Sequence, residues 1–174
     1  MFPEFKTDRL TIRQILSSDQ QKIFEGLSDP LVIKYYGVSF SSFNAVKEQM
    51  DWYEGLWTTK TGIWWAICNE DNSEFFGACG LNNLHRIHNK AELGFWLLPA
   101  YWRKGIIQEA VQVVEEYAFN DLQLHRIEAF VEVENDNSKK VLRKMNYKHE
   151  GTMVEVEKKN GGFISLDIFA KLNT

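Results

Sequence analysis

The sequence predicts an α+β fold in which seven strands form a mixed, mostly antiparallel sheet accompanied by four helices. Three observations lead there. Runs that alternate polar and apolar residues, such as Arg126-Ile127-Glu128-Ala129-Phe130-Val131-Glu132-Val133, mark half-buried strands. Turn-forming clusters, Glu70-Asp71-Asn72-Ser73 and Lys158-Lys159-Asn160-Gly161-Gly162, separate strand-like runs as antiparallel hairpins do. Apolar residues recur at helical spacing from Phe43 to Trp57 and from Ile107 to Tyr117. The 174 residues, 44% hydrophobic and 25% charged, are enough for one well-packed domain. With no internal repeat, low-complexity run or linker, residues 1–174 read as a single domain.

Taken in order, Arg9-Leu10-Thr11-Ile12-Arg13 alternates and is the first expected strand. Ser18 and Gln21 suggest a capping box opening a short helix that turns Ile23, Phe24 and Leu27 inward, and Asp29-Pro30 is expected to end it. A loop carrying Tyr35, Tyr36 and Gly37 leads to a second helix over about Ser42 to Trp57, with Phe43, Val46, Met50, Tyr53 and Trp57 on its inner face. Ile63 to Asn69 and Phe75 to Leu84 pair as a hairpin, and Ala91 to Leu98 adds an antiparallel neighbour stopped by Pro99. A long helix begins near Gly105, followed by the strand Arg126 to Val133 and a short helix starting at Asn137 or Ser138 with Val141, Leu142 and Met145 inward. Asn146 tolerates the left-handed conformation that a helix C-terminus favours. Tyr147 to Glu157 and Phe163 to Leu172 make the final hairpin.

The formal net charge of -4 argues against an extended nucleic-acid surface. No apolar run approaches the ~20 residues of a membrane span, and Met1 to Lys6 lacks a signal-peptide core, so a cytoplasmic chain with no membrane partner is expected. Cys68 and Cys79 are the only cysteines. A hairpin turning near Asp71-Asn72 sets Cys68 opposite residues near 76, so the two are expected as separate buried thiols. No Cys-x-x-Cys pair occurs and His85 with His88 lacks a third ligand, so no metal site is expected. His125 and His149 adjoin strand ends and read as structural.

The stretch Tyr101-Trp102-Arg103-Lys104-Gly105-Ile106-Ile107-Gln108-Glu109-Ala110 joins an apolar strand to an amphipathic helix through a basic turn. A helix start exposes unpaired N–H groups and the positive end of the dipole. With Arg103, Lys104 and a glycine that permits close approach, the turn suits an anion such as a phosphate. The stretch resembles the pyrophosphate loop of the GCN5-related N-acetyltransferase (GNAT) superfamily, whose pattern is Gln or Arg, two residues, Gly, one residue, then Gly or Ala. Only Gly105 fits that general form; Trp102 stands in the first position and Ile107 in the last. Both departures resemble the RimJ/RimL-type branch, which acetylates ribosomal-protein N-termini and usually carries Tyr-Trp-x-Lys-Gly-x-x-x-Glu-Ala, the run found from Tyr101 to Ala110. The resemblance implies that backbone groups of Arg103, Lys104, Gly105, Ile106 and Ile107 hold the pyrophosphate of acetyl-CoA.

A second stretch strengthens the resemblance. Asn135, Ser138, Lys144, Tyr147 and Glu150-Gly151 are similar to the family's Asn-x-x-Ser, Lys-x-Gly-Phe and Glu-Gly, with Asn146 where the family has glycine. The element order is that of the acetyltransferase fold, an α/β/α arrangement, over nearly the whole chain. By resemblance Asn135 binds the pantetheine arm, and the strand holding Phe95, Trp96 and Leu97 hydrogen-bonds pantetheine and supplies N–H groups to the oxyanion. Read from the residues alone, Asn135 is equally a turn and cap residue.

Acetyl transfer from a thioester to an amine needs a neutral amine, a donor for the oxyanion and stabilisation of the departing thiolate. Many relatives use a tyrosine for the thiolate, but that position here is Leu142. The RimJ/RimL-type branch uses a serine, which corresponds to Ser138; a helix cap is the plain alternative for it. Two carboxylates are candidates for the base: Glu157, in the Glu-x-x-Asn-Gly-x-aromatic setting of the resembling enzymes, and Glu92, beside the oxyanion segment. Each is otherwise a solvated or substrate-orienting charge. Trp52, Trp57, Trp64 and Trp65 line an acceptor pocket or belong to the core.

The resemblance therefore implies an acetyl-CoA-dependent N-acetyltransferase acting by direct attack in a ternary complex. The acceptor would be a primary amine, either the N-terminus of a ribosomal or other protein or a small molecule, and the enzyme would be a homodimer. The alternative is a regulatory domain of the same fold that binds acyl-CoA without catalysis. A dinucleotide-binding enzyme is disfavoured because the turn lacks spaced glycines and the sheet is mostly antiparallel.

Overall fold

The computed structural model describes all 174 residues. Eight strands, β1 (Phe5–Lys6), β2 (Leu10–Gln14), β3 (Ile63–Asn69), β4 (Phe75–His85), β5 (Lys90–Leu97), β6 (Arg126–Glu132), β7 (Lys148–Lys159) and β8 (Gly162–Leu172), form one sheet in the order β1-β2-β3-β4-β5-β6-β8-β7. Five helices accompany it: α1 (Gln20–Ser28), α2 (Pro30–Ile33), α3 (Lys47–Thr59), α4 (Ile106–Asn120) and α5 (Asp136–Lys144). Every pairing is antiparallel except that of β5 with β6, the pair that α4 connects. A parallel pair needs such a crossover, because both strands must begin at the same end of the sheet.

Both faces of the sheet are buried, and the strands show how. In β3, Ile63, Trp65 and Ile67 join the core under α4, while Trp64, Ala66 and Cys68 join the core under α1 and α3. Period-two alternation sends successive side chains to opposite faces, so a strand covered on both sides reads as a continuous apolar run. Trp65 is wholly buried and its indole N–H donates to the Pro3 carbonyl at 2.7 Å; losing a ring of this kind costs about 3–5 kcal/mol. The same alternation separates the cysteines. Cys68 lies in one core and Cys79 in the other, so the sheet stands between them. Burial pushes their thiols up to about 11 and about 12, respectively.

The architecture agrees with the expected one and corrects it in five places. The eighth strand is β1, two residues paired with Thr11 and Ile12 and too short to show any periodicity. The fifth helix is α2, which Asp29-Pro30 starts: Asp29 accepts the Leu31 N–H at 2.8 Å and Pro30 occupies the first turn. An Asp-Pro pair terminates one helix and caps the next with the same chemistry. The Ser18 capping box does not form. Asp19 instead accepts the Leu16 N–H at 2.8 Å and pairs with Arg13 at 2.7 and 2.9 Å, so the chain enters α1 through a 3-10 turn. The second long helix begins at Lys47, since 42–46 is a series of turns in which Ser42 accepts the Ala45 N–H at 3.2 Å. The helix placed at Asn137 or Ser138 begins at Asp136 with Asn135 as its cap.

Candidate active site

The parallel pairing of β5 with β6 lasts only from Lys90/Arg126 to Glu92/Glu128. Beyond it the strands part, because β5 stays with β4 to Leu97 and β6 stays with β8 to Glu132. The gap opens into a cavity of about 1120 Å³ whose walls carry every sequence-predicted site residue: Glu92, Phe95, Trp96, Leu97, Arg103 to Ile107, Asn135, Ser138 and Glu157. Residues scattered over two strands, one turn and two helix starts are thus brought to one opening.

Strand geometry decides which backbone groups face that gap. Leu98 donates its N–H to Phe76 on β4 at 2.9 Å. Along an antiparallel strand the direction alternates, so the N–H of Trp96 also points to β4, while those of Phe95 and Leu97 point into the gap. The Leu97 carbonyl, on that same side, accepts the Trp102 indole N–H at 2.9 Å. The Trp96 side chain packs on the far face against Tyr53 and α1, closely enough that a Cβ on Gly26 would lie 2.2 Å from its ring.

At one end of the gap lies the basic turn. Arg103 and Gly105 are left-handed, with φ of 61° and 74°. This places left-handed residues on both sides of Lys104, and alternation of this kind directs successive N–H groups toward a common point. The first bond of α4 runs from the Glu109 N–H to the Gly105 carbonyl at 3.1 Å. The N–H groups of Ile106, Ile107 and Gln108 therefore remain available at the positive end of the helix dipole. Sequence reasoning missed what holds this turn. Arg9 donates to the Lys104 carbonyl at 3.2 Å and to Glu109 at 2.7 Å, and Thr7 donates to the other Glu109 oxygen at 2.5 Å. No local pattern announces a partnership across a hundred residues of chain.

At the start of α5, Asn135 and Ser138 form a closed pair. The Asn135 side-chain Oδ1 accepts the Ser138 backbone N–H at 3.2 Å, which leaves its Nδ2 to donate to the Ser138 hydroxyl oxygen at 2.9 Å. Asn135 is therefore the helix cap and Ser138 is not. Because the Ser138 oxygen already accepts, its own proton is free to be donated elsewhere.

The face of the sheet beneath 31–40 carries four carboxylates at or near the gap: Glu92 on β5, Glu128 and Glu132 on β6, and Glu157 on β7. Two are neutralised. Glu128 receives Lys90 at 3.0 Å and Arg126 at 2.8 Å, and Glu132 receives Lys159, which also donates to the Lys34 carbonyl at 2.7 Å. Glu92 and Glu157 enter no ion pair; Glu92 has only the Asn83 amide at 2.8 Å. Burial is the main influence on Glu92 and raises its pKa above the usual carboxylate value; the Asn83 amide opposes the rise and the charges of Glu128 and Glu157 add to it. Glu157 is solvent-exposed near the hairpin tip, set there by an irregularity in β7 between Met153 and Glu157.

Of Trp52, Trp57, Trp64 and Trp65, three take one of the two expected roles, and Trp64, a core residue at the cavity's edge, takes both. Trp52 and Trp64 line the cavity, together with Tyr35 and Tyr36. Trp65 is core, and Trp57 packs against it, half-buried. Trp64 lies flat over Gly80 and Gly94, where a Cβ would approach its ring to 2.3 and 2.6 Å, and its indole N–H donates to Asn82.

A turn suited to an anion leads into a gap with free strand N–H groups, a hydroxyl with its proton available and unpaired carboxylates, an arrangement that can seat a phosphate-bearing group and stabilise charge developing beside it. Residues 9–148 match the model of the acetyltransferase (GNAT) domain, and the chain belongs to that family and is an N-acetyltransferase. It is 35% identical over 162 residues to the uncharacterized N-acetyltransferase YoaA of Bacillus subtilis (strain 168), covering 92% of each chain. The fold is similar to that of RimL, a ribosomal alpha-N-protein acetyltransferase in complex with coenzyme A, with a TM-score of 0.87 at 18% identity over 98% of both chains. It is also similar to spermidine N-acetyltransferase from Vibrio cholerae in complex with CoA and spermine, with a TM-score of 0.83 at 22% identity over 95% of this chain and 96% of that one.

Proposed function

We propose that the protein transfers acetyl from acetyl-CoA directly to a primary amine carried by a cationic acceptor, a protein N-terminus or a small amine. The observation that carries this reading is the pair of uncompensated carboxylates, Glu92 and Glu157, on the sheet wall of the cavity, where Glu132 is neutralised by Lys159 and Glu128 beside it by Lys90 and Arg126. An ammonium entering the cavity is attracted to them, and a buried carboxylate with a raised pKa is suited to take its proton. Glu92 is assigned as the base, and Glu157, exposed at the mouth, as the group that orients the acceptor. The turn at Arg103 to Ile107 would hold the pyrophosphate, Asn135 would contact the pantetheine arm, the Phe95 and Leu97 N–H groups would meet the oxyanion and the arm, and the Ser138 proton would meet the departing thiolate. The RimL and spermidine N-acetyltransferase likenesses are compatible with both acceptor classes.

The test is release of free thiol from acetyl-CoA with a panel of N-terminal peptides and small amines. Turnover with at least one cationic amine is expected. Glu92→Gln should lower kcat by roughly a hundredfold, the lower end of what a positioned base contributes, while Glu157→Gln should raise KM for the acceptor with a smaller change in kcat. A protein that binds acetyl-CoA but turns over no amine in the panel would overturn catalysis in favour of acyl-CoA binding alone.

A further inference from the structure

Between Asn82, paired with Glu92, and His85, paired with Lys90, β4 has one residue more than β5. Asn83 and Leu84 together oppose Ala91, which makes this a β-bulge. Asn83 is left-handed there, with φ of 48°, and its amide donates to Glu92 Oε2 at 2.8 Å. The bulge is fixed on both sides: Asn82 accepts the Trp64 indole N–H, and Leu84 donates to the Thr61 carbonyl at 2.9 Å. An extra residue in a strand re-aims the side chains next to it, and here it aims a neutral donor at the one carboxylate on this wall that is both half-buried and without a cation.

We infer that Asn83 is a positioning residue for the transfer reaction: its bulge holds Glu92 toward the gap and sets the pH at which that carboxylate can accept a proton. The inference rests on Glu92 being the base. A donor to the ionised carboxylate favours the charged form, so Asn83 limits the rise that burial causes and keeps the base ionised to lower pH. The other charged groups facing this position are Glu128 on β6, already held by Lys90 of β5 and Arg126, and Glu157 with Lys158 on β7. Glu48 of α3 and Lys34 beyond α2 line the same cavity. None offers a cation to Glu92. A neutral amide thus does what a lysine would overdo, since a cation at this distance would stabilise the carboxylate and weaken it as a base.

The experiment is kcat/KM for one amine acceptor measured against pH in the parent protein, Asn83→Gly, Asn83→Asp and Glu92→Gln. Glycine accepts the left-handed backbone and removes only the donor; aspartate also tolerates it and adds a like charge. The acidic limb of the profile should move to higher pH in Asn83→Gly, lowering the rate on that limb roughly fivefold, the worth of one hydrogen bond, with KM for acetyl-CoA unchanged. Asn83→Asp should move it further in the same direction, and Glu92→Gln should remove it. A limb left in place by both Asn83 variants, while Glu92→Gln removes it, would overturn the role of Asn83 and leave the base assigned. A limb that persists in Glu92→Gln would overturn the base itself. Thermal melting of each variant separates these outcomes from misfolding, and if Asn83→Gly does not fold, the Asn83→Asp profile alone decides.

Discussion

Ser138 and Glu92 show how much of a residue's chemistry is set by a single neighbour. Asn135 occupies the Ser138 acceptor site, so the hydroxyl is left as a donor without having to be an acid. Ser138→Ala is expected to lower kcat by about a hundredfold, the scale seen when one donor to developing charge is removed, while acetyl-CoA affinity changes little. Equal kcat in variant and parent, read from saturation kinetics beside a direct binding titration, would remove the assignment. Glu92 has a stability signature as well as a kinetic one. Its folded pKa is raised, so above that pKa the folded state carries a charge it would shed more readily than the unfolded chain does. Glu92→Gln should therefore melt at a higher temperature than the parent near neutral pH even as it loses turnover, a trade common where a site holds a strained charge.

At the scale of elements, the turn before α4 depends on the strand region that precedes it in sequence by nearly a hundred residues. Arg9 and Thr7, at the entry to β2, grip Glu109 in the first turn of α4, and Arg9 also holds the Lys104 carbonyl. Arg9 is more than half exposed, at 55%, so the ion pair itself contributes little to stability; its work is on the shape of the turn. Arg9→Ala should weaken acetyl-CoA binding roughly fivefold with kcat preserved. Gly105→Ala should weaken it further, since φ of 74° strains any side-chain-bearing residue by about 1–2 kcal/mol. The space is not limiting there, because the nearest atoms to an added Cβ are 3.7 and 3.9 Å away. Isothermal titration with acetyl-CoA reads both variants; unchanged affinity in both would place the anion elsewhere.

For the whole molecule, the sheet is pinned at both faces by carboxylates whose pKa values are lowered. Burial would raise Asp167, but the Thr152 hydroxyl at 2.5 Å and His149 at 3.0 Å, with Lys139, hold it below the usual value and tie β7, β8 and α5 together. Burial likewise opposes, and hydrogen bonds from Arg126 and Lys90 outweigh it, at Glu128; hydrogen bonding to Arg126 lowers Glu150 directly. A depressed folded pKa gives stability that is complete above the unfolded value and is lost as pH falls through the folded one. The melting temperature should therefore hold near neutral pH and fall steeply below about pH 4, where ordinary carboxylates protonate. Calorimetry from pH 7 to pH 3 checks this, and a flat profile would mean that these pairs do not contribute. No helix is long and apolar enough to cross a membrane.

Sequence periodicity and local chemistry determined the elements that are long or strongly signalled: β3 matches its expected bounds, and Asn160-Gly161 forms the expected turn with both residues left-handed, at φ of 50° and 80°. They located the glycine turn before α4 too, because a helix start, a basic pair and a glycine act within a few residues of one another. Tertiary structure alone decided what lies across the sheet: that β5 and β6 part after Glu92, that Arg9 clamps Glu109, that Asn83 meets Glu92, and which of four carboxylates remain unpaired. The physical reason is range. Backbone periodicity and capping are written in neighbours, whereas ion pairing and desolvation depend on groups that only the folded sheet brings within a few ångströms.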